Sequence, residues 1–398
     1  MNRISVVYTS LWHKKELCMM TARLSSSVLF LICVTGALGA HSQASNPMPV
    51  SYICVEAESG LVLMEDNADL RRPPASMLKM MQMLLVEEGV QAGKWRYDSA
   101  ITVSEHAQSM GGTQVFLAKG ETWPLESLMK AIAVASANDA SVAVAEGLWG
   151  SVDECLKAMN KRAAELGMDA TVFHSVNGLP PDDGKTFDQT TARDMATLAR
   201  ALLEYPNILN FTRMKEFALR PTDSARSNTN QLLQRMPGCD GIKTGYIRAA
   251  GFCLTATAKR NDMRLIAVVM GSDRKGRFDH TQKILEEGFG MVQRVTPVLA
   301  GAIIGRPVAV VKGTEPDVAL AAQKDIQIVV KNTDLNRLAL EITAPRSLDA
   351  PVEAGVEAGY VRVLLDNTIM GESPLLVSAA VERKRLKHRM RELVGLAR

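Results

Sequence analysis

The sequence predicts an α+β chain with two folded parts, a mixed body followed by a small all-β domain. Three observations lead there. Strand-like runs open and close the stretch from about Pro49 to Phe289, and long apolar helical runs fill its middle. Past Phe289 only strand-like runs remain, separated by Gly, Asn and Asp turns. At 398 residues, 47% hydrophobic and 22% charged, the chain is long enough to bury two cores.

In chain order, the first element is not part of either fold. Ser27 to Leu38 is an apolar run too short for a comfortable membrane span, preceded by Arg23 and followed by the small-x-small site Ser42-Gln43-Ala44. Residues 1–44 therefore read as a secretory signal cleaved after Ala44, with Met19 or Met20 as alternative starts. Cys33 follows Ile32 where a lipid-attachment site would want a small residue, so lipidation is not expected. Cleavage removes Arg3, Lys14, Lys15 and Arg23 against Glu16, which takes the net charge from +3 to near zero. No basic patch with interleaved aromatics follows, so nucleic acid is excluded as a partner.

Tyr52 to Val55 and Leu61 to Met64 read as a hairpin that joins later strands near Ile242, Phe252 and Ile266 in one antiparallel sheet. Ser76 opens the run Met77, Leu78, Met80, Met81, Met83, Leu84, Leu85, apolar on most sides and so a buried helix. Lys79 stands three residues after Ser76, on the same helical face, and the greasy surroundings should strip it of its proton. Free N–H groups at the helix start would favour an oxyanion there. Alone, Ser76 is an ordinary N-cap. The next signal, Ser136-Ala137-Asn138-Asp139, separates the helical runs Leu125 to Val134 and Ala140 to Leu148, again a place where caps are common. The third, Lys243-Thr244-Gly245, ends a strand-like segment, where a lysine is usually a solvated edge charge but at a cleft lip would hold a carboxylate.

Singly these signals say little, since roughly one or two Ser-x-x-Lys matches are expected by chance in a chain this long, and a Lys-Thr-Gly about one time in ten. All three in this order are hard to assign to accident. With Ser59-Gly60-Leu61, Phe173, Asn177-Gly178-Leu179, Thr190-Thr191-Ala192-Arg193-Asp194, Asn228-Thr229-Asn230 and Asp240 to Tyr246, residues 45–295 resemble the catalytic domain of low-molecular-mass penicillin-binding proteins, the serine-type D-alanyl-D-alanine carboxypeptidases. That resemblance implies a penicillin-binding/β-lactamase-like domain with a five-stranded antiparallel sheet flanked by helices. It further implies Ser76 as nucleophile, Lys79 as its base and Ser136 as proton shuttle. Asn138 would orient Lys79 and the substrate amide, while Lys243 and Thr244 bind the terminal carboxylate, Gly245 belongs to the same substrate-binding set, and the N–H groups of Ser76 and Tyr246 form the oxyanion hole. Its partners would be peptidoglycan stem peptides and β-lactams, its place the periplasm. No cofactor and no metal is needed.

Leu78 and Ile247 stand where the family usually has Thr, which keeps open a catalytically impaired binder of stem peptides. A β-lactamase is the other alternative. Class A enzymes carry a deacylating Glu in a Glu-x-x-Leu-Asn segment; here Glu165 is followed by Leu166-Gly167-Met168, and Ala170 to Asp183 holds no such segment.

Of the cysteines after residue 44, Cys239 and Cys253 flank a presumed turn and are the pair that would face each other if any did; buried free thiols are the commoner case. His174 reads as structural. Residues 296–380, with strand runs Val308 to Val311, Ile326 to Val330, Leu338 to Ile342 and Val361 to Leu365, suggest a small β-sandwich without a catalytic group, resembling the C-terminal domain of these enzymes. Residues 381–398 place Leu386, Met390, Leu393, Val394 and Ala397 at helical spacing among seven basic residues against Glu382 and Glu392. This reads as a basic amphipathic helix for an anionic membrane surface, with a solvated basic terminus as the alternative.

Overall fold

The computed structural model describes residues 3–8, 48–180 and 183–385. The described residues fall into two units divided at Val292, and the N-terminal strand Arg3–Tyr8 belongs with the second.

The first unit is built on a five-stranded antiparallel sheet. Its strands are β1 (Ser51–Glu56), β2 (Val62–Asp66), β3 (Cys239–Ile247), β4 (Gly251–Arg260) and β5 (Met263–Ser272), in the spatial order β2-β1-β5-β4-β3. The central strand β5 and its neighbour β4 are buried almost end to end because helices cover both faces of the sheet. Asn261 and Asp262, both at positive φ, turn the chain tightly between them, as these two residue types do at low steric cost. β3 is the far edge strand, and the rest of the site is assembled against it.

Helices from the middle of the chain form the other lobe. They are α1 (Lys79–Gln91), α2 (Leu125–Lys130), α3 (Asn138–Trp149), α4 (Val152–Glu165) and α5 (Ala192–Leu203), with α6 (Gly276–Met291) after the sheet. Ser151 and Thr191 cap α4 and α5 by accepting from the N–H groups of Glu154 at 3.1 Å and Asp194 at 3.0 Å. α1 is buried on nearly every side, with Met80, Met81, Met83 and Leu84 in the core. One polar exchange crosses that apolar contact: Gln82 donates to the Ser141 carbonyl at 2.7 Å and accepts from the Ser141 hydroxyl at 2.6 Å, tying α1 to α3.

The second unit is all β with a short 3-10 turn. Leu338–Pro345, Glu357–Leu365, Thr368–Val377 and Leu320–Ala322 form an antiparallel sheet, and the backbone of Arg3–Tyr8 lies along the free edge of Leu338–Pro345. Val308–Val311 is the middle strand of a three-stranded sheet, and Val292–Val298 pairs with Ile326–Lys331. Val298, Val310, Leu320, Val361, Val363 and Leu375 make its own core. Thr368–Val377 is not among the strands read from sequence, because Gly371 and Pro374 interrupt its pattern. Val381 and Arg383 bridge to Val352 and Gly313, so the chain is extended at the start of the expected basic helix. Most of that helix, and all of the expected leader beyond Tyr8, lie outside the described residues. Among the described residues no helix is long and apolar enough to cross a membrane.

Candidate active site

Ser76 lies in a single 3-10 turn, Ala75–Leu78, that runs directly into α1. The nucleophile therefore sits one turn ahead of the α-helix rather than at its first residue. Lys79 still comes round beneath it, and its Nζ is 3.0 Å from Ser76 Oγ. Two further oxygens complete the shell of that nitrogen: Asn138 Oδ1 at 2.8 Å and the carbonyl of Asn177 at 2.7 Å. Ser76 Oγ is itself 3.3 Å from the Asn177 carbonyl.

The segment Asn177-Gly178-Leu179 carried part of the resemblance, but a role for its carbonyl could not be read, since a main-chain oxygen has no residue code. What holds it there is Gly178, at φ +79. A Cβ at Gly178 would come within 2.4 Å of the Ala75 carbonyl carbon and 2.8 Å of the Ser76 nitrogen, so only glycine lets this segment lie against the nucleophile's backbone.

Lys79 has no exposed surface, and burial drives its pKa well below the ordinary lysine range. The Lys243 ammonium pushes in the same direction, while the carboxylates of Asp188 and Asp139 oppose it. Both carboxylates are already committed to backbone amides. Asp188 accepts from the N–H groups of His174 and Ser175 at 2.7 and 2.9 Å, and Asp139 from those of Val115 and Leu117 at 3.1 and 3.0 Å. His174 thus meets Asp188 through its main-chain N–H, and its imidazole adds a favourable charge interaction with the same carboxylate.

The second motif forms where α2 widens into one looser turn, Ala131–Ala135, before α3. Ser136 ends that turn in the left-handed region, at φ 61, and is nearly buried. Its hydroxyl bonds to neither lysine among the described residues; only its two-residue distance from Asn138 places it beside them. Asn138 is fixed at both ends of its amide, since Nδ2 donates to the Gly111 carbonyl at 2.8 Å while Oδ1 faces Lys79.

Lys243 is in the middle of β3 and almost wholly buried, not at a solvated strand end. Burial, and then the Arg277 guanidinium, bring its pKa down to about 7. Its Nζ donates to the Thr244 carbonyl at 3.1 Å, and Thr244 Oγ1 donates to Thr229 Oγ1 at 2.7 Å. Gly245 lets β3 close on the nucleophile turn: a Cβ there would meet the Pro74 carbonyl at 2.6 Å. Tyr246, half exposed, stacks on Phe252 at 4.1 Å.

Arg277 is a cation the sequence reading did not name. Its guanidinium lies 5.0 Å from the Phe252 ring and 4.6 Å from that of Phe278, within reach of the Gly245 carbonyl at 3.5 Å. It supplies a second positive charge behind the third motif.

Leu78 and Ile247, where hydroxyls are usual, both pack into the core. Cys239 and Cys253 do not face each other, because the register sets Cys239 opposite Ala258 and Cys253 opposite Gly245. Both are free thiols, as are Cys54 and Cys155. Among the described residues no group of three or more His, Cys, Asp or Glu side chains is placed to hold a metal ion.

Residues 40–274 match the family profile described as D-alanyl-D-alanine carboxypeptidase, and residues 293–383 that of the penicillin-binding protein 5 C-terminal domain. A D-alanyl-D-alanine carboxypeptidase of Bacillus subtilis, DacF, is 38% identical over 330 residues, covering 82% of this chain and 84% of its own. Penicillin-binding protein 5 of Haemophilus influenzae has a similar structure, with a TM-score of 0.66 and 29% identity over 84% of this chain and 98% of that one. Penicillin-binding protein D2 of Listeria monocytogenes, solved in an ampicillin-bound form, aligns with a TM-score of 0.55 and 31% identity over 61% of this chain and 97% of that one.

Proposed function

Because the chain belongs to the D-alanyl-D-alanine carboxypeptidase family, a serine hydrolase family of the cell wall, we propose that it removes the terminal D-alanine from peptidoglycan stem pentapeptides through an ester on Ser76. One observation carries the assignment of roles: Lys79 Nζ lies 3.0 Å from Ser76 Oγ in a shell otherwise made of two pure acceptors. A neutral amine has two N–H bonds for Asn138 Oδ1 and the Asn177 carbonyl, and its lone pair is left facing the serine hydroxyl. Burial keeps it in that neutral form.

In the forward step Ser76 Oγ attacks the carbonyl of the penultimate D-alanine while its proton passes to Lys79. Lys243 and Thr244, with Arg277 behind them, take the terminal carboxylate and so fix which carbonyl is presented. The N–H groups of Ser76 and Tyr246 receive the oxyanion, and Ser136 delivers a proton to the departing amine. Water then cleaves the ester.

A β-lactam enters by the same route. Leaving is slow, because the two carboxylates whose charges reach Lys79 are held by main-chain amides and are not free to activate water. Benzylpenicillin should thus give an acyl-enzyme lasting minutes or longer, seen by intact mass spectrometry. Nitrocefin turnover of many per second would overturn this.

D-Alanine release from diacyl-L-Lys-D-Ala-D-Ala, blocked by penicillin and lost in Ser76→Ala, tests the function itself. Persistent penicillin labelling of Ser76→Ala would remove that residue from the role. The same reading places the mature chain in the periplasm, exported by the segment cleaved after Ala44. It would rest on the outer face of the cytoplasmic membrane through the basic residues of 381–398.

A further inference from the structure

The five-stranded sheet of the second unit has one long margin, Leu338–Pro345, an eight-residue strand bound on its inner side to Glu357–Leu365. Its outer side is taken by the backbone of Arg3–Tyr8. The two run antiparallel without a bulge, with Arg3 opposite Pro345 and Tyr8 opposite Leu340. That covering strand lies within residues 1–44, which the proposed export removes, and a start at Met19 or Met20 would omit it as well. On either account the processed chain presents the edge bare.

Little in the strand protects it once bare. Lysines, bulges and inward charges are the usual guards of a free edge, yet the only charged residue here, Glu341, is engaged by Arg362 at 3.4 Å, and both registers run unbroken. Pro345 withholds an N–H only at the very end. The sheet's other margin differs, since Leu320–Ala322 is three residues long and is met by Ile303.

Leu340, Ile342 and Ala344 pack against the core of this unit. Beside Ile342 and Ala344 opens a cavity of about 580 Å³, lined also by Ile304, Gly305, Val308 and Leu320. Residues directly opposite in an antiparallel pair share a face, so a strand laid on this edge turns alternate side chains toward the cavity. In the register present, the positions opposite Leu340, Ile342 and Ala344 are Tyr8, Val6 and Ile4, aromatic and β-branched types that favour strands.

We infer that this edge and its cavity form a strand-addition site, filled in the processed chain by an extended segment of another polypeptide with apolar residues at alternate positions. Main-chain hydrogen bonds hold the segment, and the cavity selects the side chains set opposite Ile342 and Ala344. The inference rests on the proposed cleavage after Ala44. A second copy of this chain fits less well. Two such edges, paired antiparallel over most of their length with their apolar residues on one face, bring the two Glu341 side chains opposite or diagonal to each other, whereas Arg3–Tyr8 sets Val7 there.

The test uses the exported chain and, as probe, a fluorescein-labelled peptide Arg-Ile-Ser-Val-Val-Tyr, the sequence of residues 3–8. Fluorescence anisotropy should show saturable binding, weakened about tenfold by Ser in place of Ile4 and Val6 in the probe, and by Ile342→Lys in the protein, with D-alanine release by that variant within about twofold of wild type. Backbone methylation needs no protein variant. Because alternate amides of an added strand face the edge, N-methylation of one pair, Ile4 with Val6 or Ser5 with Val7, should abolish binding, and that of the other should leave it within about threefold. No saturable binding, or equal losses from the two methylated probes, would overturn the site. So would a processed chain that sediments as a dimer and is split by the probe, since the edge would then belong to a second copy. Intact mass of the exported chain checks the cleavage separately. A chain that retains residues 1–44 ends that reading, and the edge is then judged on the chain without residues 1–8, where the site stands if the probe binds and falls if it does not.

Discussion

At the scale of single residues, the site turns on two lysines that burial treats alike and the chemistry needs in opposite states. Lys79 must be neutral to accept a proton, and Lys243 must be charged to hold a carboxylate. Desolvation lowers both, Lys243 to about 7, and the charge of Lys243 itself adds to the lowering at Lys79. For kcat/KM on a substrate with a free C-terminal carboxylate, activity should rise as pH climbs past the depressed pKa of Lys79. It should then fall from about pH 7 upward, as the Lys243 ammonium is lost. A profile that stays flat from pH 7 to 9 would show that Lys243 keeps its proton by other means. Lys79→Arg should reduce penicillin acylation by about 10³-fold or more and remove the acid limb, since a guanidinium does not lose its proton in this range. An acylation profile unchanged in that variant would take the base role away from Lys79.

At the scale of elements, what positions these side chains is the close approach of backbone to backbone around the turn Ala75–Leu78. Gly178 brings the Asn177 carbonyl to both Lys79 and Ser76, and Gly245 brings β3 against Pro74. Gly178→Ala should leave the helices and sheet folded and lower the acylation rate about tenfold or more, because its Cβ can be accommodated only by moving the segment that carries the carbonyl. Circular dichroism alongside penicillin acylation checks this; an unaltered rate would mean that the shift is absorbed elsewhere. The same contacts mark the boundary of what the sequence could tell. Ser76 with Lys79 was legible because the pair is local and its geometry follows from helical spacing, and Ser136 with Asn138 because the motif breaks two apolar helical runs. The sheet was legible from its apolar runs. The roles of the Asn177 carbonyl and of Thr229 beside Thr244 were not, although both segments carried the resemblance, and the Arg277 cation was not seen at all, since each enters the site through tertiary contact. The register that separates Cys239 from Cys253 was hidden for the same reason, as it includes a bulge between Cys239 and Gly241.

At the scale of the whole molecule, every residue given a chemical role lies between Ser76 and Arg277, inside the first unit, whose core is its own. The second unit has a separate core of Val, Leu and Ile side chains. A domain with its own core is expected to fold without its neighbour when the cut falls at the boundary between them. A chain ending after Met291 should therefore release D-alanine from a small peptide within about twofold of the full-length rate, provided its thermal transition remains single and cooperative. What the truncation should lose is attachment. The basic residues Arg383 to Arg391 and Arg398 go with it, and each cation near an anionic surface contributes about 1 kcal/mol that salt screens away. Binding of the full chain to phosphatidylglycerol vesicles should accordingly fade between low and high salt and be absent in the truncated form. A truncated chain that binds as well as the full one would place the attachment in the catalytic unit. One that is well folded but inactive on small peptides would mean that the β domain acts on the site itself.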